Sequence, residues 1–257
     1  MSRSTSRSVH GGRHELGQNF LHHAPTLDRI ARLVADTDGA IIELGAGDGA
    51  LTRVLVGLGR DVTAIDLDEH LVRRLRTAVP DARVVHADAL THPLDRPVVV
   101  GNVPFHLTTP ILRRLLREPA WEHAVLLVQW EVARKRAGVG GGTMMTAQAA
   151  PWFDVGLAGR VPAHGFTPKP SVDGGLLRIE RRPEPLVPPA RRTAYERFVH
   201  GVFTGRGGSL HRILQAAARV DARRADLAME RAQIDRRSLP RDLTPRQWAD
   251  LWHAVRG

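Results

Sequence analysis

Apolar residues follow two alternating rhythms over the first 180 positions. Short unbroken runs have the length of buried strands: Ile41-Ile42-Glu43-Leu44, Val62 to Ile65, Arg83 to His86, Pro97 to Val100 and Ala124 to Val128. Between them, apolar positions recur every three or four residues, as one face of a helix requires. Leu27, Ile30, Leu33 and Val34 form one such set, with Thr26 placed to cap it. Leu51, Val54, Leu55 and Leu58 form a second, and Leu71, Val72 and Leu75 a third. Ile111, Leu112, Leu115 and Leu116 form a fourth, opened by Pro110. Alternating strands and helices predict a parallel doubly wound α/β sheet. One more strand is expected from Leu176 to Ile179.

Past the four-proline run Arg181 to Ala190 every pattern is helical. The clearest opens with Thr244-Pro245-Arg246-Gln247, a capping box with Pro at the first helical position. Trp248, Leu251, Trp252 and Val255 then fall on one stripe, which makes the tryptophans core residues rather than stacking platforms. The expected organisation is a basic, disordered tail over 1–14, a large sheet domain over 15–182, a Pro-rich linker over 183–190 and a small all-helical domain over 191–257. The loop Gly140-Gly141-Gly142 lies either near a substrate opening or simply on the surface.

Charge changes this picture. The chain carries a net +10, and residues 181–257 hold 16 Arg and Lys against 8 Asp and Glu, whereas residues 1–180 hold 21 against 19. A near-neutral body with a basic helical end suits nucleic acid, and an Arg-rich composition with solvated helix faces gives the same count. In the tail, Arg3, Arg7 and Arg13 are candidates for phosphate contact. The absence of cysteine excludes disulfides and thiolate metal sites, and the thirteen histidines show no ligand spacing, so no metal is expected. The polar start has no apolar core, and no run approaches the roughly 20 apolar residues that span a bilayer, so a cytoplasmic protein without membrane contact is expected.

The candidate chemistry sits at strand ends. The first strand runs into Gly45-Ala46-Gly47-Asp48-Gly49, a glycine turn before a helix, which lets backbone approach a nucleotide closely. Asp66 ends the second strand, about 20 residues on, where a carboxylate grips ribose hydroxyls. Asp88-Ala89 ends the third. The fourth delivers Gly101-Asn102-Val103-Pro104-Phe105: an amide, a rigid turn and an aromatic ring, as methylation of an amine on a planar base would need. The glycine pattern also fits a dinucleotide oxidoreductase. Against that reading, Glu43 puts a carboxylate two residues before the first glycine, which would repel a pyrophosphate but tolerate a sulfonium, and an N-V-P-F turn has no role in hydride transfer.

HELGQNFL, ELGAGDG, AIDLD, ADAL, GNVPFHLTTPI, VQWEVARK, GFTPKPSVD and LTPRQWADLW occur in family order. Together they resemble the ribosomal RNA adenine dimethylases, and within them the Erm macrolide-resistance methyltransferases of large-subunit RNA. The resemblance covers residues 13–257. It implies a Rossmann-like S-adenosylmethionine-dependent methyltransferase sheet and a small helical RNA-holding domain, in a monomer acting on ribosomal RNA, free or in assembling particles. Carried over residue by residue, it implies cofactor contacts at Asn19, Leu21, Gly45, Asp66, Asp88 and Asn102, with Gln18, Gly47 and Ala89 adjoining, and Glu43 joins the expected cofactor site by its place before the glycine turn. Asn102, Val103, Phe105 and Phe166 fall on positions expected to hold the target adenine, with Asn102 and Phe105 as the catalytic pair. Asp66 stands where Glu is common, and Arg206-Gly207-Gly208 where housekeeping relatives carry paired basic residues. The alternatives are a housekeeping small-subunit dimethylase and a non-catalytic RNA-binding relative. The intact glycine and N-P-F motifs argue against the second.

Overall fold

The computed structural model describes residues 18–256, so the tail expected over 1–14, with its three arginines, lies outside the described residues. The first elements among the described residues are β1 (Phe20–Leu21) and α1 (Ala24–Ala35). It then alternates through β2 (Ile41–Leu44), α2 (Ala50–Val56), β3 (Val62–Asp66), α3 (Glu69–Ala78) and β4 (Arg83–His86). Next come β5 (Val98–Asn102), α4 (Thr108–Leu115), β6 (His123–Gln129), α5 (Trp130–Arg136) and α6 (Met144–Ala149). Strands β7 (Phe153–Val161), β8 (Phe166–Thr167) and β9 (Gly174–Arg181) follow. Four helices close the chain: α7 (Arg192–Thr204), α8 (Leu210–Ala218), α9 (Ala222–Arg231) and α10 (Pro245–Arg256).

Seven strands form one sheet in the order β4-β3-β2-β5-β6-β9-β7. The first five are parallel, and β9 runs antiparallel to both β6 and β7. The sheet is therefore mixed rather than wholly parallel. The return from β7 to β9 has no intervening α-helix, only a short 3₁₀ turn (Ala163–Gly165) and β8, and glycines at 156, 159, 174 and 175 blur its apolar run. Strand residues alternate between two cores, Val99 facing one and Val98 and Val100 the other. Helices α1 to α3 cover the second core through Ile30, Val34, Leu51, Leu55, Val72 and Leu75.

Helix α1 starts two residues before Thr26, with His23 at the capping position and Pro25 in the first turn. Thr26 is buried, and its hydroxyl bonds the His23 ring at 2.8 Å instead of capping. At the other end of the chain the capping box forms as expected: Gln247 N donates to Thr244 Oγ1 at 3.2 Å and Thr244 N to Gln247 Oε1 at 3.0 Å. Trp248, Leu251, Trp252 and Val255 are all buried.

The helical segment does not stand apart from the sheet. Trp152 and Phe153 belong to the same core as Tyr195, Phe198, Trp248 and Trp252. The Tyr195 hydroxyl, inside this core, donates to Ala147 O at 2.9 Å, and Val187 between the two regions is fully buried. The Gly140–Gly142 loop packs against the C-terminal region, with Gly142 N donating to Arg241 O at 2.6 Å. No described helix is long and apolar enough to cross a membrane.

Candidate active site

Chain order reverses between β2 and β5, since β3 lies on one side of β2 and β5 on the other. Ligands of open α/β sheets bind at such a switch point, beyond the carboxyl ends of the strands. A cavity of about 240 Å³ opens there. Its walls come from Gln18 to Leu21, the turn after β2, the ends of β3 and β4, and the segment Asn102 to Leu107.

The glycine turn is shaped by close approach. Gly47 has φ 57°, and a Cβ there would lie 3.1 Å from the Phe20 ring. Gly101 lets β5 lie against β2, because a Cβ would come within 2.8 Å of Leu44 O. Asp66 ties the turn to β3: Gly47 N donates to its Oδ2 at 2.8 Å and Asp68 N to its Oδ1 at 2.8 Å. Each oxygen keeps lone-pair capacity for a ligand hydroxyl. Burial raises the Asp66 carboxyl above its usual range, partly offset by those backbone donors. Asp88 holds its own loop by accepting from Leu90 N at 2.8 Å, and Arg114 props the same loop by donating to the carbonyls of Ala89 and His92.

Asn102 donates from Nδ2 to Asn19 O at 2.8 Å, which leaves Oδ1 as the acceptor of that amide. Val103 donates its N–H to Leu127 O at 3.1 Å, pinning the turn to β6. Phe105 is half-buried at the start of a short 3₁₀ turn, Phe105–Leu107.

Glu43 is buried and accepts from Thr52 Oγ1 at 2.6 Å. Desolvation, opposed by that bond and reinforced by Asp66 and Asp48, pushes its carboxyl up to about 8. It therefore holds a proton at neutral pH and acts by hydrogen bonding. The repulsion of pyrophosphate expected from Glu43 falls instead on Asp48, Asp66 and Asp88. These line the cavity with Glu43, and among the described residues no Lys or Arg does. An acidic lining suits a sulfonium and an ammonium.

The structure brings Gln18, Asn19, Leu21, Glu43, Gly45, Gly47, Asp66, Asp88, Ala89, Asn102, Val103 and Phe105 to this one cavity. It does not bring Phe166 there. That residue is 2% exposed, pairs with Leu21 across the β1–β8 ladder and fills core beside Gly174. In this structure its ring packs behind β1, next to the cavity residue Leu21. Phe20, Leu67 and His106 line the cavity without having been singled out from the sequence. Phe20 sits inside the Q-N-F-L motif, and Leu67, 54% exposed beside Asp66, is an apolar residue left open to solvent at a strand end.

A switch-point cavity, an acidic lining and an oriented amide on an N-V-P-F turn define a Rossmann-like methyltransferase that uses S-adenosylmethionine. The sequence profile of the ribosomal RNA adenine dimethylases matches residues 9–255. The mycinamicin-resistance protein MyrB of Micromonospora griseorubida is 49% identical over 250 residues, covering 96% of this chain and 80% of its own. An rRNA adenine N-6-methyltransferase of Corynebacterium diphtheriae is 51% identical over 208 residues, 79% of this chain and 82% of its own. The crystal structure of the 23S rRNA methyltransferase ErmE superposes with a TM-score of 0.84 at 33% identity, over 93% of this chain and 100% of that one. The chain belongs to the ribosomal RNA adenine dimethylase family and is an S-adenosylmethionine-dependent rRNA adenine N-methyltransferase.

Proposed function

We propose that the protein methylates the exocyclic nitrogen of one adenine in large-subunit ribosomal RNA and thereby confers macrolide-type resistance. The observation that carries the chemistry is the Asn102 amide, held by Asn19 so that its oxygen is free to accept. Likeness to a mycinamicin-resistance protein and to a 23S rRNA methyltransferase supports this target over the small-subunit RNA. The protein acts as a monomer in the cytoplasm, on free RNA or assembling particles.

The adenine amino group is a poor nucleophile because its lone pair is delocalised into the ring. Asn102 Oδ1 and the Val103 carbonyl accept from that amino group, drawing the lone pair out of conjugation as the nitrogen becomes tetrahedral. Phe105 stacks on the base, which must be unpaired or flipped out at an energetic cost of a few kcal/mol that loops and bulges reduce. When bound, S-adenosylmethionine would supply the electrophilic methyl, its sulfur–methyl bond breaking as the nitrogen–methyl bond forms, with S-adenosylhomocysteine as the leaving group and the amino proton passing to water. Asp66 would hold its ribose hydroxyls and Asp88 with Ala89 its adenine, with Gln18, Asn19, Leu21, Gly45 and Gly47 around it. Orientation, more than a strong base, then makes the attack efficient. Residues 15–182 form the catalytic part, and the basic segment 191–257 supplies RNA affinity.

Expression in susceptible bacteria tests the reading. Intact protein is expected to raise the inhibitory concentration of a macrolide without altering the drug, and Asn102→Ala is expected not to. Equal protection by both would overturn it.

A further inference from the structure

Of the five tryptophans, Trp121, Trp152, Trp248 and Trp252 are buried, and Trp130 alone is partly open to solvent. It opens α5 at the carboxyl end of β6, and its indole N–H meets no acceptor among the described residues. Its place at that end of the sheet is fixed by close packing. Gly175 on β9 makes room for the ring, since a Cβ there would lie 3.2 Å from Trp130 Cε3. The Trp130 main-chain N–H donates to Asp173 O at 2.9 Å.

Asp173 ties the surroundings of the ring together. Its carboxylate accepts from Arg160 Nε at 2.7 Å and from Ala163 N at 2.8 Å. The Arg160 guanidinium in turn reaches over the Trp130 ring, 5.2 Å from its centroid. That is farther out than Arg256 over Trp252, at 4.2 Å, and Trp130 stays partly exposed beneath it. The Arg160 charge is already paired with Asp173, so this guanidinium flanks the ring and is not a free cation. Val172, 43% exposed and next to Asp173 in the chain, extends the apolar surface.

Strand register relates this ring to the chemistry. Asn102 on β5 pairs with Leu127 on β6, and Val103 N donates to Leu127 O. Phe105 and Trp130 each lie three residues past that pair. They leave neighbouring parallel strands, which run about 4.8 Å apart. An RNA strand that delivers an adenine to Phe105 therefore carries an adjoining base toward Trp130. A flat π-face with a guanidinium on its flank suits a nucleobase and offers nothing to a phosphate.

We propose that Trp130, flanked by Arg160, is a second stacking platform, which takes the base next to the target adenine once the strand is unstacked. The inference rests on ribosomal RNA being the substrate. Unpaired RNA is commonly held by splaying its bases onto aromatic side chains. Stacking the adjoining base on Trp130 keeps the strand open where the adenine is methylated, and so raises RNA affinity while leaving the methyl-transfer step itself unaffected.

The test uses the full chain and a ribosomal RNA fragment that the wild-type protein methylates, so that failure to find such a fragment counts against the substrate reading and takes this proposal with it. RNA affinity and steady-state kinetics are measured for wild type, Trp130→Leu and Trp130→Phe. The RNAs are the intact fragment and fragments with an abasic nucleotide on either side of the target adenine. Leu fills space against Gly175 but has no π-face. Trp130→Leu is expected to raise the KM for RNA roughly five- to hundredfold, the range for one stacked base, with kcat and S-adenosylmethionine affinity at wild-type values. Trp130→Phe should keep most of the affinity. One abasic fragment should bind wild type about as weakly as intact RNA binds Trp130→Leu, and losing that base should cost Trp130→Leu nothing further. If Trp130→Leu does not fold, fluorescence decides: intact RNA should quench wild-type emission, and both that abasic fragment and Trp130→Phe should lose the quenching. Equal abasic losses in wild type and Trp130→Leu, no loss at either neighbour, or quenching that survives in Trp130→Phe would make Trp130 a packing residue between β6 and β9 and overturn the proposal.

Discussion

Asn102 Nδ2 and the main-chain oxygen of Asn19 are 2.8 Å apart, a bond that joins the Q-N-F segment to the N-V-P-F turn across 83 positions of chain. It fixes which end of the Asn102 amide faces the Asn19 carbonyl, and so gives the amide oxygen to the substrate. Asn102→Ala is expected to lower the single-turnover methylation rate by about 10² or more, the scale of a lost donor or acceptor that acts mainly in the transition state. Asn102→Asp should do no better, since it removes the donor and sets a charge against the Asn19 carbonyl. A variant within a few-fold of wild type would show that the amide is only structural.

Phe105 tests the stacking half of the same arrangement. Phe105→Ala should lose roughly 1–3 kcal/mol of base stacking, whereas Phe105→Tyr should keep most activity. Steady-state kinetics with a fixed RNA fragment separates the two, and equal losses would point to packing rather than stacking.

Asp66 serves the ligand and the turn at once. With Gly47 N and Asp68 N both bonded to its carboxylate, Asp66→Ala frees the glycine turn as well as removing the ribose contact. Hydrogen bonds to a charged group contribute roughly 1.5–3 kcal/mol, so S-adenosylmethionine should bind about ten- to hundredfold more weakly. Calorimetry on a folded variant checks this, and an unchanged affinity would remove Asp66 from the site.

Glu43 gives the fold a pH signature. Its carboxyl rises from 4.5 to about 8 on folding. The folded chain thus keeps a proton that the unfolded chain has already lost, and the stabilisation, complete below the lower value, disappears as pH rises through the upper one. Asp66 shifts in the same direction. Denaturant unfolding of the wild type should show stability falling by a few kcal/mol between about pH 5 and about pH 9, and Glu43→Gln should flatten most of that fall while leaving the Asp66 share. Parallel curves for the two proteins would contradict the assignment.

Removing the C-terminal helices should expose rather than release the sheet. A chain ending at Arg182 would lose Tyr195, Phe198, Trp248 and Trp252 from the core that holds Trp152 and Phe153. Aggregation, or binding of a dye that reports exposed apolar surface, is the expected result. A soluble, monomeric fragment with normal cofactor affinity would show the two regions to be independent.

The parallel half of the sheet was legible because its strands are short, mostly apolar runs set between helical patterns. The antiparallel pair β7–β9 was less so: the prolines of Phe166 to Pro170 mark a loop before β9, but glycines interrupt the apolar run of β7. The cavity residues could be read because strand ends carry them. Phe166 could not be placed, because its burial depends on the pairing of Leu21 with a strand 145 residues away. Nor could the protonation of Glu43 be read, since the sequence gives the carboxyl but not the dry environment or Thr52. The tryptophan stripe of α10 was readable from its spacing alone, yet nothing in that spacing told that its partners include residues before β7.

Mapping methyl groups by mass spectrometry tests the central claim most directly, using ribosomal RNA from cells that express the intact protein, Asn102→Ala or neither. The account predicts one adenine of large-subunit RNA methylated on its exocyclic nitrogen with the intact protein alone. Methyl groups found only on small-subunit RNA, or equally with Asn102→Ala, would contradict it.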